Sequence, residues 1–156
     1  MSMKWLYGVL AVPLLVPAWI HASPMQPAQD PLETVKSVTC AFSLYATGTW
    51  QNTEPHAEVK PAKLSVAFDS IDTQEGSAHS VGPYGSLPIV VRWSAGTLHF
   101  MQVSTSGALY LTTVFGKEST PGKRLAVHSR HEYTAVSLPG FTSRPEQYYG
   151  ECEIRP

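Results

Sequence analysis

The stretch Ala126-Val127-His128-Ser129-Arg130-His131-Glu132 gathers more reactive groups than any other part of the chain. A serine near a histidine offers a nucleophile and a general base. Residues i and i+2 of a strand stand about 6.5–7 Å apart, however, too far for a direct hydrogen bond. No G-x-S-x-G elbow is present to expose the hydroxyl. A secreted hydrolase using His131 or His128 with Ser129 is therefore the alternative reading. A metal site is not expected. His128 and His131 are three apart and face opposite sides of a strand, and His56, His79 and His99 lie on separate segments without ligand spacing. No cofactor motif appears either.

The leading reading is a binding pocket. If Leu125 and Val127 point inward, strand alternation sends Ser129 and His131 inward too, and His128, Arg130 and Glu132 outward. An inward Thr113 joins them. Polar groups inside a β-fold must be hydrogen-bonded or face a cavity. Apolar walls with a few convergent polar groups are what a small-molecule site requires. Trp50, Trp93, Phe100 and Tyr148 are the expected walls. Arg130 and Glu132 would form an outer ion pair worth at most about 1 kcal/mol. Glu146-Gln147-Tyr148-Tyr149 can make an aromatic edge at one mouth, and Gly140-Phe141-Thr142-Ser143 a loop over it.

The elements that must position these groups are strands. The dominant hydrophobic period is two. Val38, Cys40, Phe42, Leu44, Ala46 and Trp50 share a face, as do Leu64, Val66 and Phe68, and Ile89, Val91 and Trp93. Leu109, Leu111, Thr113 and Phe115 form another set, followed by Leu125, Val127, Ser129 and His131, then Tyr148, Gly150, Cys152 and Ile154. Residues 97–104 make a strand of mixed character. Gly- and Pro-containing turns separate the runs, among them Ser94-Ala95-Gly96 and Pro121-Gly122. With a short strand near residues 77–81 the total is about eight, and no segment carries a helical stripe. The expected fold class is all-β, an antiparallel up-and-down barrel, with a β-sandwich as the alternative.

Cys40 and Cys152 are the two cysteines. In an exported chain an even pair reads as a disulfide. It would tie the first strand to the last, and closure into a barrel makes those strands neighbours.

Export is read from the start of the chain. Lys4 precedes residues 5–20, which carry no charge and are interrupted by Pro13 and Pro17. That run is too broken for a membrane span of about 20 residues, and Ala22 supplies a small residue for cleavage. The expected layout is a signal peptide at 1–22, a disordered Pro-rich spacer at 23–35 and one barrel domain at 36–156. No membrane span would remain after cleavage. The destination is the periplasm or the exterior. The 156-residue chain has 11 Lys+Arg against 12 Asp+Glu and a net charge of −1, which excludes binding that relies on phosphate neutralisation. Nucleic acid is therefore not an expected partner.

Gly48-Thr49-Trp50 resembles the G-x-W signature of lipocalins, and residues 40–52 resemble the opening strand of avidins. The calycin superfamily to which both belong consists of up-and-down barrels that bind small ligands. The chain departs from lipocalins in having no helix after its last strand, and avidin's biotin-binding residues have no one-by-one match. Leu111-Thr112-Thr113-Val114-Phe115, Ala126-Val127-His128-Ser129-Arg130-His131 and Gln147-Tyr148-Tyr149-Gly150-Glu151-Cys152 resemble a family of exported bacterial proteins of unknown function. The resemblances imply secretion, a bacterial source and a calycin-like barrel. Together with the residues they give the expected function: a non-catalytic exported module for a small apolar ligand or a protein partner of the envelope. A purely structural or inhibitor-like protein acting through an exposed aromatic patch is a third possibility.

Overall fold

The computed structural model describes residues 30–132 and 144–155. The expected export signal, most of the spacer, and the loop containing residues 140–143 lie outside the described residues. The described chain forms eight strands: β1 (Ser37–Gln51), β2 (Glu54–Asp72), β3 (Ser77–Gly82), β4 (Gly85–Ser94), β5 (Thr97–Val103), β6 (Leu109–Thr120), β7 (Lys123–His131) and β8 (Glu146–Arg155). Each pairs antiparallel with the next, and β8 returns to pair with β1, so that one up-and-down sheet closes on itself. That continuous pairing replaces the two-sheet sandwich. β3 pairs with β2 only over Ala67–Asp72, so the β1–β2 hairpin extends past the ring and the earlier part of β2 keeps one edge unpaired by β3.

Cys40 and Cys152 are opposite one another in the β1–β8 register and form the expected disulfide. The two strands approach closely just above it. A Cβ on Gly150 would lie 2.1 Å from the Ala41 carbonyl oxygen, a distance no side chain can occupy. Glycine is required there by space rather than by backbone conformation.

One end of the barrel is closed. Its core contains Val38, Ile71, Val91 and Leu98, together with Leu32 and Val35 from the segment before β1. That segment is a turn, not a spacer. Asp30 Oδ1 accepts the Leu32 N–H at 2.9 Å, and its carbonyl accepts the Glu33 N–H at 2.9 Å. Leu32 is 0% exposed and Val35 1%, so the folded unit begins earlier than residue 36. The reason is apolar demand: the base of a closed sheet must be covered, and these side chains cover it.

The in–out phase follows expectation in β2, β4 and β8, where Phe68, Ile89, Val91, Tyr148 and Cys152 are buried. It departs in three places. In β1 a bulge between Phe42 and Leu44 inserts a residue, which turns Leu44 outward and Tyr45 inward. In β6 and β7 the phase is reversed over the whole buried part. Thr112, Val114, Ala126 and His128 are buried, whereas Phe115, Leu125 and His131 are exposed. The cause is the β5–β6 hairpin. Leu98 and Phe100 point inward, and they pair with Val114 and Thr112, so these two must share their face.

Candidate functional site

The strand phase sorts the inner wall into tiers along the barrel axis. The lowest tier above the base runs through Leu98, Val114, Ala126, Gly150 and Phe42, which are paired in that order around the ring. It is apolar throughout. The next tier runs through Phe100, Thr112, His128, Tyr148 and Tyr45. The upper tier runs through Gln102, Tyr110, Arg130, Glu146 and Thr47. Polarity therefore rises from hydrocarbon through neutral polar groups to an ion pair.

A cavity of about 260 Å³ occupies the upper half. Leu64, Val66 and Phe68 of β2, Ile89 of β4 and Phe100 of β5 form its apolar side. Ser80, Gln102, Tyr110, Thr112, His128 and Arg130 supply its polar groups. The Phe68 and Phe100 rings stack with centroids 4.0 Å apart and form a flat aromatic floor.

His128 is held by its surroundings. Its Nδ1 lies 2.8 Å from Thr112 Oγ1, and the rings of Phe42, Tyr110 and Tyr148 surround it at 5.8, 6.4 and 6.0 Å. Burial, with a smaller contribution from the Arg130 charge, lowers its pKa to about 4. The imidazole is therefore neutral at pH 7.

Arg130 sits one tier higher, with its guanidinium carbon 5.6 Å from the centre of the Tyr110 ring, a cation–π arrangement. Its Nη1 lies 3.8 Å from Glu146 Oε2. Tyr148 donates its hydroxyl hydrogen to the same carboxylate oxygen at 2.5 Å. Burial raises the Tyr148 pKa, and the bond to Glu146 raises it further, which keeps the phenol a donor. Tyr45 stacks on Tyr148 with centroids 5.4 Å apart. The Thr47 hydroxyl and the Gly48 N–H both donate to the Pro145 carbonyl at 3.2 Å, which ties the start of β8 to β1.

The residues expected at the site divide into those inside and those outside. Phe100 is 1% exposed and lines the cavity, and Tyr148 is 9% exposed beside His128. Trp93 is partly buried against the core but does not line the cavity. Trp50, in the G-x-W tripeptide, is 58% exposed near the β1–β2 turn and forms no wall. Thr113, Ser129 and His131 face outward, because β6 and β7 carry the opposite phase. On that outer face the Thr113 hydroxyl meets His99 Nδ1 at 3.1 Å. The interior hydroxyl and imidazole belong instead to Thr112 and His128, each one residue earlier. Ser129 and His128 consequently point to opposite sides of the sheet, so of the two imidazoles of the hydrolase alternative only His131 shares the face of Ser129. Arg130, expected in an outer pair with Glu132, turns inward to Glu146. Among the described residues no three His, Cys, Asp or Glu side chains converge on one point.

Tyr110 and Gln102 carry no mark of a pocket residue in their types, whereas Glu146 falls in the edge expected at one mouth. The available signal was Phe100. A five-residue connection, 104–108, joins β5 to β6, and an odd connection pairs even residues with even ones. An inward Phe100 then places Thr112 and Tyr110 inside.

No family model, curated protein or solved structure matches this chain significantly, so its functional reading rests on the geometry of the barrel.

Proposed function

We propose that the protein is an exported, non-catalytic binding module, periplasmic or extracellular, whose barrel takes up one small amphiphilic molecule with its apolar end toward the base. The observation that carries this reading is the tiered wall around a cavity of about 260 Å³. An aromatic floor and aliphatic side favour hydrocarbon, and polar side chains stand across from them in the floor's own tier and in the tier above. At roughly 30 Å³ per water-sized group, the space suits about eight or nine such groups. The ligand is therefore short, closer to an eight-carbon chain than to a long lipid.

The test is calorimetric titration with octanol, an uncharged amphiphile of the length the cavity admits. The reading expects saturable 1:1 binding that Gln102→Trp, which fills the upper cavity, weakens at least about tenfold. Unsaturable binding, or equal binding by a folded Gln102→Trp variant, would overturn it.

A protein partner is the second reading, and it draws on a different surface. Val90 and its register partner Met101, with Val103 two residues on, are exposed on the outer face of β4 and β5. Contiguous apolar surface on a barrel exterior is the usual mark of such contacts.

A further inference from the structure

We propose that the ligand's polar end is an uncharged hydrogen-bonding group, such as an alcohol or amide, and that the site discriminates against both carboxylates and ammonium ions. This rests on the amphiphile reading and narrows it.

The argument is one of charge balance. Arg130 and Glu146 are register partners in β7 and β8, and they face the interior as a pair. Their side chains are only 25% and 12% exposed. At such depth charges interact more strongly than in water, so a third charge matters. A carboxylate placed on the guanidinium would also lie against the Glu146 carboxylate. An ammonium placed on Glu146 would lie against Arg130. Either ion loses its hydration and meets attraction and repulsion together. A hydroxyl or amide loses far less hydration, and Gln102 and Tyr110 in the same tier can both donate to it and accept from it.

The remaining groups near the mouth preserve the balance. Glu58 and Lys60 of the β1–β2 hairpin, opposite Thr47 and Tyr45, pair with each other. His128 below is uncharged at pH 7. The connection between β7 and β8 carries one charge of each sign, Glu132 at its start and Arg144 near its end, and residues 133–143 between them contain no Lys, Arg, Asp, Glu or His. Arg144 acts on the Glu58–Lys60 pair, whose own charges cancel.

Four eight-carbon probes test this: octanol, octanamide, octanoate and octylammonium, each titrated calorimetrically into the purified protein at pH 7. Octanol and octanamide should bind at least about tenfold more tightly than either ion. Glu146→Gln removes the internal counter-charge and should improve octanoate binding at least about tenfold. Arg130→Gln should do the same for octylammonium. Two opposite variants guard against one failing to fold, and thermal melts identify the folded ones. Octanoate or octylammonium matching octanol on the unaltered protein would overturn the inference while leaving the amphiphile reading in place. Failure of all four to bind would overturn both.

Discussion

His128 owes its low pKa mainly to burial, and that depression makes stability depend on pH. The unfolded imidazole takes up a proton near pH 6.5, whereas the folded one resists until about 4. Below pH 6.5 the unfolded state therefore binds more protons, and the folded state loses ground as pH falls toward 4. The difference amounts to at most about 3 kcal/mol. Urea midpoints measured at several values between pH 7 and pH 4 should decline over this window. His128→Gln should be less stable at pH 7, because Thr112 loses its partner, but should show a flatter decline. An unchanged slope in that variant would show that the acid sensitivity comes from other groups.

At the scale of the element, β6 and β7 are the instructive strands. The sequence puts large apolar residues at odd positions, Leu109, Leu111, Phe115, Leu125 and Val127, and smaller or polar ones at even positions. Hydrophobicity alone points the odd set inward. The barrel points it outward, because the phase of a strand is inherited from its neighbour through the hairpin. The strand count, order and closure, the disulfide, and the inner sets of β2, β4 and β8 were readable from alternation and turn residues. The site was readable as a kind, a hydroxyl and an imidazole inside aromatic walls, but was displaced by one residue. The bulge in β1 had no marker in its residue types, since Ser43 and Leu44 suit a regular strand equally well.

The reversal gives a direct test on adjacent residues. Val114→Ala should cost about 2 kcal/mol because it hollows a fully buried site. Phe115→Ala removes a larger ring but should change stability by only about 0.5 kcal/mol, as expected for a surface position. Chemical denaturation of the two variants would show which of them points inward. The turn before β1 offers a parallel case. Leu32→Ala should cost about 2–5 kcal/mol if it closes the base, and almost nothing if residues 23–35 were only a spacer. A thermal melt separates the two outcomes.

For the molecule as a whole, the seam between β1 and β8 governs cooperativity. The disulfide joins residues 112 apart in sequence, so it removes much of the freedom of the unfolded chain. Reduction should lower stability by about 2–5 kcal/mol. Strand pairing on both sides of the cysteines remains, so circular dichroism of the reduced protein at 25 °C should keep its β signature. The urea midpoint with and without a phosphine reductant measures the first effect. Loss of the β signature on reduction would mean that hydrogen bonding alone cannot keep the ring shut.

The Lys36 N–H donates to the Arg155 carbonyl at 2.9 Å, which brings the entry and exit of the barrel together at its base, opposite the Asn52-Thr53 turn. A gene rearranged to join Arg155 to Asp30 through a short linker and to begin at residue 53 would keep the turn that covers the base and encode the same ring of strands in a new order. Such a circular permutant would carry any fused reporter on the mouth side, and the natural order would carry it at the foot. Comparing ligand uptake by the two would map the entrance without altering a single lining side chain.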